Sequence, residues 1–210
     1  DKEEGFRKLY PRVDAQQRVS PAYERVTKQK SSIKRRIEAH LPKPIKPTKD
    51  QGITLLDVYE KRATMNQFIA QLSFDELEAL SRGDYNMGSP LGAPGNAGVY
   101  GGVSASLREK GVVPVTAIDG PSGIRLTASA SLLPVGTTLA CTWNDLLVET
   151  LYAWVGKEML LNEADALLAP GMNLQRDPLC GRNFEYFSED PLLTGQMGIN
   201  VVRGLQSTGV

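Results

Sequence analysis

Hydrophobic and polar positions follow two alternating periods through the second half of the chain. Val112-Val-Pro-Val-Thr-Ala-Ile118 is a β-rich run that stops at Asp119-Gly120-Pro121. Val135-Gly-Thr-Thr-Leu-Ala-Cys-Thr142 reads as a second strand ending at Trp143-Asn144, and Ala166-Leu-Leu-Ala169 as a third, bounded by Pro170-Gly171. After the second run the period becomes helical: Asn144 is the cap, and Leu147, Leu151, Trp154 or Val155, and Met159 share one side. A further helix is predicted from Pro191 to about Gln206, capped by Asp190, with Leu193, Met197, Val201 and Leu205 facing inward. Strand, loop, helix and strand in this order predict parallel pairing with right-handed crossovers, and so an α/β fold. Gly209-Val210 reads as the threshold of a fourth strand.

Upstream, the pattern is less regular. Asn66 to Leu80 is predicted helical, with Phe68, Ile69, Leu72, Leu77 and Leu80 on one face. Ser73-Phe74-Asp75-Glu76 has the form of a capping box, so the helix restarts at Ser73, and Gly83 can stop it. Globular sequence is expected from near Ile53. Residues 1 to about 50 read as a connector, whose basic run between Lys28 and Lys49 is opposed only by Glu38. Pro42, Pro44 and Pro47 impose an extended path there. Ile33, Ile37 and Leu41 have the spacing of one short helix.

Between Gly88 and Gly102 lie six glycines: Gly88, Gly92, Gly95, Gly98, Gly101 and Gly102. A phosphate cradle would need a preceding strand and a Gly-Lys-Ser/Thr ending, and neither is predicted, so the segment reads as a pliable loop. The stretch from Leu168 to Asp190 is different. It is long, rich in charge, and interleaved with Pro178, Phe184 and Phe187, which argues for an ordered loop with either a functional or a salt-bridged structural role.

Composition adds mainly exclusions. The 24 basic and 24 acidic residues cancel, which gives no argument for nucleic acid or a membrane surface, and no apolar run approaches the roughly 18 residues of a bilayer span. Cys141 and Cys180 lack metal-ligand spacing and read as two reduced thiols, although a disulfide is possible on paper. His40, the single histidine, lies in the basic segment and reads as a solvated side chain; with no other histidine, a histidine-dependent triad is excluded from this stretch of chain. The chain begins with Asp1 and no leader pattern follows, so a processed, trimmed or partial chain is expected, and a cytoplasmic location.

In parallel α/β folds the working residues gather at the carboxyl ends of strands. Here those ends carry Asp119, Trp143-Asn144 and the loop with Arg182. A carboxylate that accepts from two neighbouring hydroxyls and a guanidinium that donates in a fixed fork suit a neutral ligand with many hydroxyls.

Two signatures carry a resemblance. One is Asp119-Gly-Pro-Ser-Gly-Ile-Arg125. The other is Leu168-Ala-Pro-Gly-Met-Asn173 continuing through Arg176-Asp-Pro-Leu-Cys-Gly-Arg-Asn-Phe-Glu-Tyr-Phe-Ser-Glu-Asp-Pro191, with Gly204-Leu-Gln-Ser207 closing the series. From about Leu72 onward the chain resembles glycoside hydrolase family 3, most closely its bacterial β-glucosidases of the rearranged-domain type. The resemblance implies part of a (β/α)8 TIM-type barrel, with residues 1–65 a connector from an upstream domain and 66–210 the first, incomplete part of the barrel. It implies retaining hydrolysis of terminal β-D-glucosyl residues by an Asp nucleophile and an acid/base carboxylate. Asp119 matches the carboxylate that grips the far hydroxyls of the glucosyl ring, Arg182 a sugar-binding arginine, and Arg125 one that supports the same subsite. Asn173, Glu185 and Asp190 take supporting roles, Glu185 orienting Arg182 and Asp190 capping the next helix.

The departures matter as much. The Lys-His-Phe and Asp-Trp motifs of the family are absent from these residues, so neither catalytic carboxylate is assigned here and Asp119 is not the nucleophile. The expected partners are a β-glucoside or cello-oligosaccharide and the remainder of the same enzyme, with no cofactor, metal, nucleic acid or membrane. The alternatives are a β-xylosidase of the same family, a non-catalytic carbohydrate-binding or assembly module, and, remotely, a nucleotide-binding domain built on the glycine loop.

Overall fold

The computed structural model describes residues 7–25 and 33–210, and the chain divides into two compact units, Asp1–Pro44 and Ile45–Val210. In the first, β1 (Arg7–Val13) and β2 (Val19–Arg25) form an antiparallel hairpin, and α1 (Ile33–Ala39) is the short helix that the isoleucine spacing predicts. The stretch that the sequence suggests as a connector thus carries a hairpin besides the short helix. Its turn is held by Asp14, whose carboxylate accepts from the backbone N–H of Gln16 and Arg18, both at 2.9 Å. Residues 41–54, which include the three prolines, carry no helix or strand.

The second unit opens with a small helical layer: α2 (Leu55–Tyr59), α3 (Met65–Ala70) and α4 (Phe74–Arg82). The predicted 66–80 helix is interrupted because Ser73 starts a new one: its side chain accepts from Glu76 N–H while the Glu76 carboxylate accepts from Ser73 N–H. Gly83 ends it with positive φ, as expected. Phe68, Leu72, Ala79, Leu107 and Val112 form the apolar centre of this layer. Lys110 ties it together through Asp50 at 2.8 Å and Glu76 at 3.0 Å.

The sheet has the order β3–β4–β5. β3 (Gly98–Gly101) is a strand inside the glycine segment, antiparallel to β4 (Pro114–Asp119), while β4 and β5 (Ala166–Leu168) are parallel. The glycine segment is therefore half turn and half strand; Val99, between its glycines, is buried. α5 (Ala105–Glu109) connects β3 to β4.

The second predicted strand is a helix. α6 (Gly136–Ala140) lies within the Val135–Thr142 run whose composition predicts a strand, and its own Leu139 and Ala140 are buried. The β-rich composition of a short apolar run cannot be told from a buried helical turn by pattern alone. α7 (Asp145–Leu161) follows, capped by Asn144, whose side chain accepts from Leu147 N–H, and α8 (Pro191–Gln206) is capped by Asp190, whose carboxylate accepts from Leu192 N–H. α7 and α8 pack against each other and against the sheet. Ile118, Leu139, Val148, Tyr152, Val155, Met159, Met197 and Val201 fill the space between, each burial contributing roughly 1.5–3 kcal/mol before conformational entropy is set against it. The buried face of α7 is Val148–Tyr152–Val155–Met159, so Leu147 and Trp154 lie outside it. No helix among the described residues is long and apolar enough to cross a membrane. The result is a mixed α/β fold.

Candidate functional site

Parallel pairing sets Asp119 beside Leu168, so the final residues of β4 and β5 lie side by side and the segments after both strands leave from the same end. A cleft of about 690 Å³ opens there, lined by Asp119 through Arg125, Ala130 to Leu132, Leu168, Arg182 and Glu185. Four of the residues picked out by sequence, Asp119, Arg125, Arg182 and Glu185, thus meet in one cavity.

The Asp119–Arg125 segment is closed on itself. Arg125 N–H donates to the Asp119 carbonyl at 2.8 Å, leaving both side chains free of that bond. The phenol of Tyr152 donates to the Pro121 carbonyl at 3.2 Å from beneath, tying the loop to α7. Tyr152 is 1% exposed, and burial pushes its phenol up to about 12.

Arg182 comes from the long loop after β5. Its guanidinium donates to the Glu185 carboxylate through Nε. That contact chiefly, with Tyr186 and Asp119 adding to it, holds the Arg182 pKa above its usual value. Glu185 is 9% exposed against 68% for Arg182, so the carboxylate acts as an inner anchor and the guanidinium remains available to a ligand. Asn173 is exposed and does not line the cleft. Asp190 caps α8, as its position before Pro191 predicts.

Two residues that sequence reasoning passed over hold this arrangement. Thr137, in the first turn of α6, donates to the Tyr186 carbonyl at 2.8 Å and accepts from Gln175 Nε2 at 3.0 Å. Gln175 in turn donates to the Asn183 carbonyl at 2.8 Å. Both bonds grip the 3-10 turn Asn183–Glu185 that follows Arg182. Gly136 lets α6 approach it, since a Cβ there would stand 2.3 Å from the Glu185 carbonyl oxygen. The signal was hidden because Gly136-Thr137 lay within a run read as strand. Asn183 Nδ2 donates to the Asp177 carbonyl at 2.8 Å and Gln175 N–H to the Ser188 carbonyl at 3.2 Å, so the loop is ordered largely by its own bonds. Both cysteines are free and exposed, and among the described residues no cluster of His, Cys, Asp or Glu could hold a metal ion.

Residues 101–210 match the glycosyl hydrolase family 3 N-terminal domain. The chain belongs to glycosyl hydrolase family 3. Similar proteins include a β-glucosidase of Ruminococcus albus, 47% identical over 173 residues, covering 81% of this chain and 18% of the relative. Among solved structures, a β-glucosidase from Paenibacillus barengoltzii superposes with a TM-score of 0.89 at 45% identity, covering 97% of this chain and 22% of that one. β-Glucosidase 3B from Thermotoga neapolitana, solved in complex with glucose, gives 0.56 at 34% identity, covering 69% of this chain and 22% of its own. The chain therefore spans about a fifth of the length of these relatives.

Proposed function

We propose that the chain is the first part of the (β/α)8 barrel of a retaining β-glucosidase and supplies one side of its glucose-binding subsite. In this reading Asp119 accepts hydrogen bonds from two adjacent ring hydroxyls, Arg182 donates to the same ring, and Arg125 supports the subsite. Glu185 fixes the direction of Arg182, Asp190 supports it indirectly by starting α8, and Asn173 belongs to the supporting loop. The nucleophile and the acid/base carboxylate, which stand roughly 5–5.5 Å apart in retaining enzymes, come from other segments of the enzyme. Residues 1–65 lead in from an upstream domain. The observation that carries the reading is the cleft itself: Asp119 and Arg182, 63 positions apart in sequence, line one cavity at the carboxyl ends of neighbouring parallel strands. The β-glucosidase names of the relatives support the same substrate class.

Sugar hydroxyl contacts that tighten as the oxocarbenium-like state forms lower the barrier and do more than bind substrate. Asp119→Asn and Arg182→Ala in the intact enzyme are therefore expected to cut kcat/KM for a β-glucoside on the order of a hundredfold or more. Steady-state kinetics on cellobiose and an aryl β-glucoside test this, and wild-type constants in either variant would remove that residue from the subsite.

A further inference from the structure

One wall of the cleft has no secondary structure to hold it. Residues 126–135 form neither helix nor strand, yet Ala130, Ser131 and Leu132 line the cavity. Three hydrogen bonds from its backbone N–H groups moor the segment. Thr127 donates to the Pro94 carbonyl at 3.0 Å, Leu133 to the Ser122 carbonyl at 2.9 Å, and Ser131 to the Glu158 carboxylate at 2.8 Å. The last is a mooring to a side chain, and it reaches across 27 residues from α7.

Glu158 is also oddly placed for a structural residue. One carboxylate oxygen takes the Ser131 N–H, while the other is buried without a hydrogen-bond partner. An unpaired buried carboxylate oxygen is costly, so an acidic side chain at this point works against stability unless it serves the cleft. Glu158 itself does not line the cavity. Its effect passes through Ser131, whose carbonyl oxygen lies where a Cβ on Gly123 would be, only 2.1 Å away. Gly123 has a φ of +107° and sits in the closed Asp119–Arg125 loop. The position of Ser131 therefore fixes how that loop lies.

We propose that Glu158 is a positioning residue of the sugar subsite: it anchors Ser131 and, through the packing of Ser131 on Gly123, sets the loop that carries Asp119 and Arg125. This rests on the reading of the cleft as a glucose subsite. Glu158 touches no substrate, so its loss acts through the Asp119–Arg125 loop and weakens both ground-state binding and the transition-state contact that Asp119 makes.

The test compares Glu158→Ala and Glu158→Gln with wild type in the intact enzyme. For Glu158→Ala, KM for an aryl β-glucoside is expected to rise about five- to tenfold and kcat to fall with it, the pattern of a displaced contact that serves both substrate and transition state. Glu158→Gln keeps an acceptor for Ser131 N–H and is expected to recover most of that loss. Hydrogen exchange over residues 126–134 is expected to speed up in Glu158→Ala and return toward wild type in Glu158→Gln. A purely structural role would instead lower the active fraction, reducing kcat at constant KM, and would overturn the proposal. So would unchanged exchange at 126–134, or equal KM changes in the two variants. The failures are separable: an inactive wild type refutes the glucosidase reading, whereas an active wild type with an indifferent Glu158→Ala refutes only the role of Glu158.

Discussion

At the residue scale, the charged side chains of the cleft were legible, and most of the groups that hold the cleft in place were not. Asp119 and Arg182 stand in motifs where a turn follows a strand, so their placement could be reasoned from position alone. Thr137, Tyr152 and Glu158 act on backbone carbonyl or N–H groups far away in sequence, and Gln175 on one eight residues on in its own loop. A side chain bonding to a distant backbone group leaves no pattern in neighbouring residues, because any backbone can serve as its partner. Tyr152 gives this a measurable consequence. Its buried phenol is pushed up to about 12, above the ordinary value near 10, so the folded protein holds the proton that the unfolded chain releases. The stabilisation is complete below pH 10 and is lost as pH rises from about 10 towards about 12. Tyr152→Phe should therefore flatten the decline in denaturant stability over that interval, while weakening the loop by removing the bond to Pro121. Parallel stability curves for the two proteins would show that the phenol does not ionise on unfolding.

At the element scale, the long helices were legible because several turns of period and a cap agree. Asn144 and Asp190 cap α7 and α8 as their sequence positions predict. The short elements were not. α6 has five residues, too few for a period, and its two threonines, flanked by Val135 and Cys141, favour a strand until Gly136 meets the Glu185 carbonyl. β3 hides between glycines, and the hairpin of β1 and β2 carries Pro11 opposite Pro21, residues that argue against a strand. The α7–α8 contact also separates two glycines that look equivalent in sequence. A Cβ on Gly204 would lie 2.1 Å from the Glu149 carbonyl oxygen, whereas one on Gly195 meets nothing within 4 Å. Both lie within α8. Gly204→Ala must push the helices apart and is expected to destabilise by about 2 kcal/mol, while Gly195→Ala should stabilise by about 0.5–1 kcal/mol through helix propensity. Thermal or denaturant melts of the two variants decide it, and a shift of the same sign in both would contradict the close approach.

At the scale of the whole molecule, the exposed apolar surface is what needs an explanation. Around α7, Trp143, Leu146, Trp154 and Leu161 are all more than 60% exposed, and Leu192, Ile199 and Val202 of α8 are exposed as well. The sheet adds to this, since β5 is only three residues long and, among the described residues, pairs on one side alone. Scattered exposed apolar residues are normal, but two tryptophans and several leucines at and around two packed helices are more apolar exposure than water tolerates well. The composition did not announce it, because 41% hydrophobic residues is ordinary, and only the placement shows how few of the large ones are covered. In the glucosidase reading, further strands and helices of the same enzyme cover these faces. The 210 residues expressed alone are then expected to self-associate at micromolar concentration, to bind a hydrophobic dye, and to melt broadly. Sedimentation velocity and calorimetry of the isolated chain are the direct measurements. A monodisperse monomer with a sharp, reversible transition would mean that the unit stands without its neighbours, and the open cleft at the ends of β4 and β5 would then have to be explained as a finished surface of a self-sufficient domain.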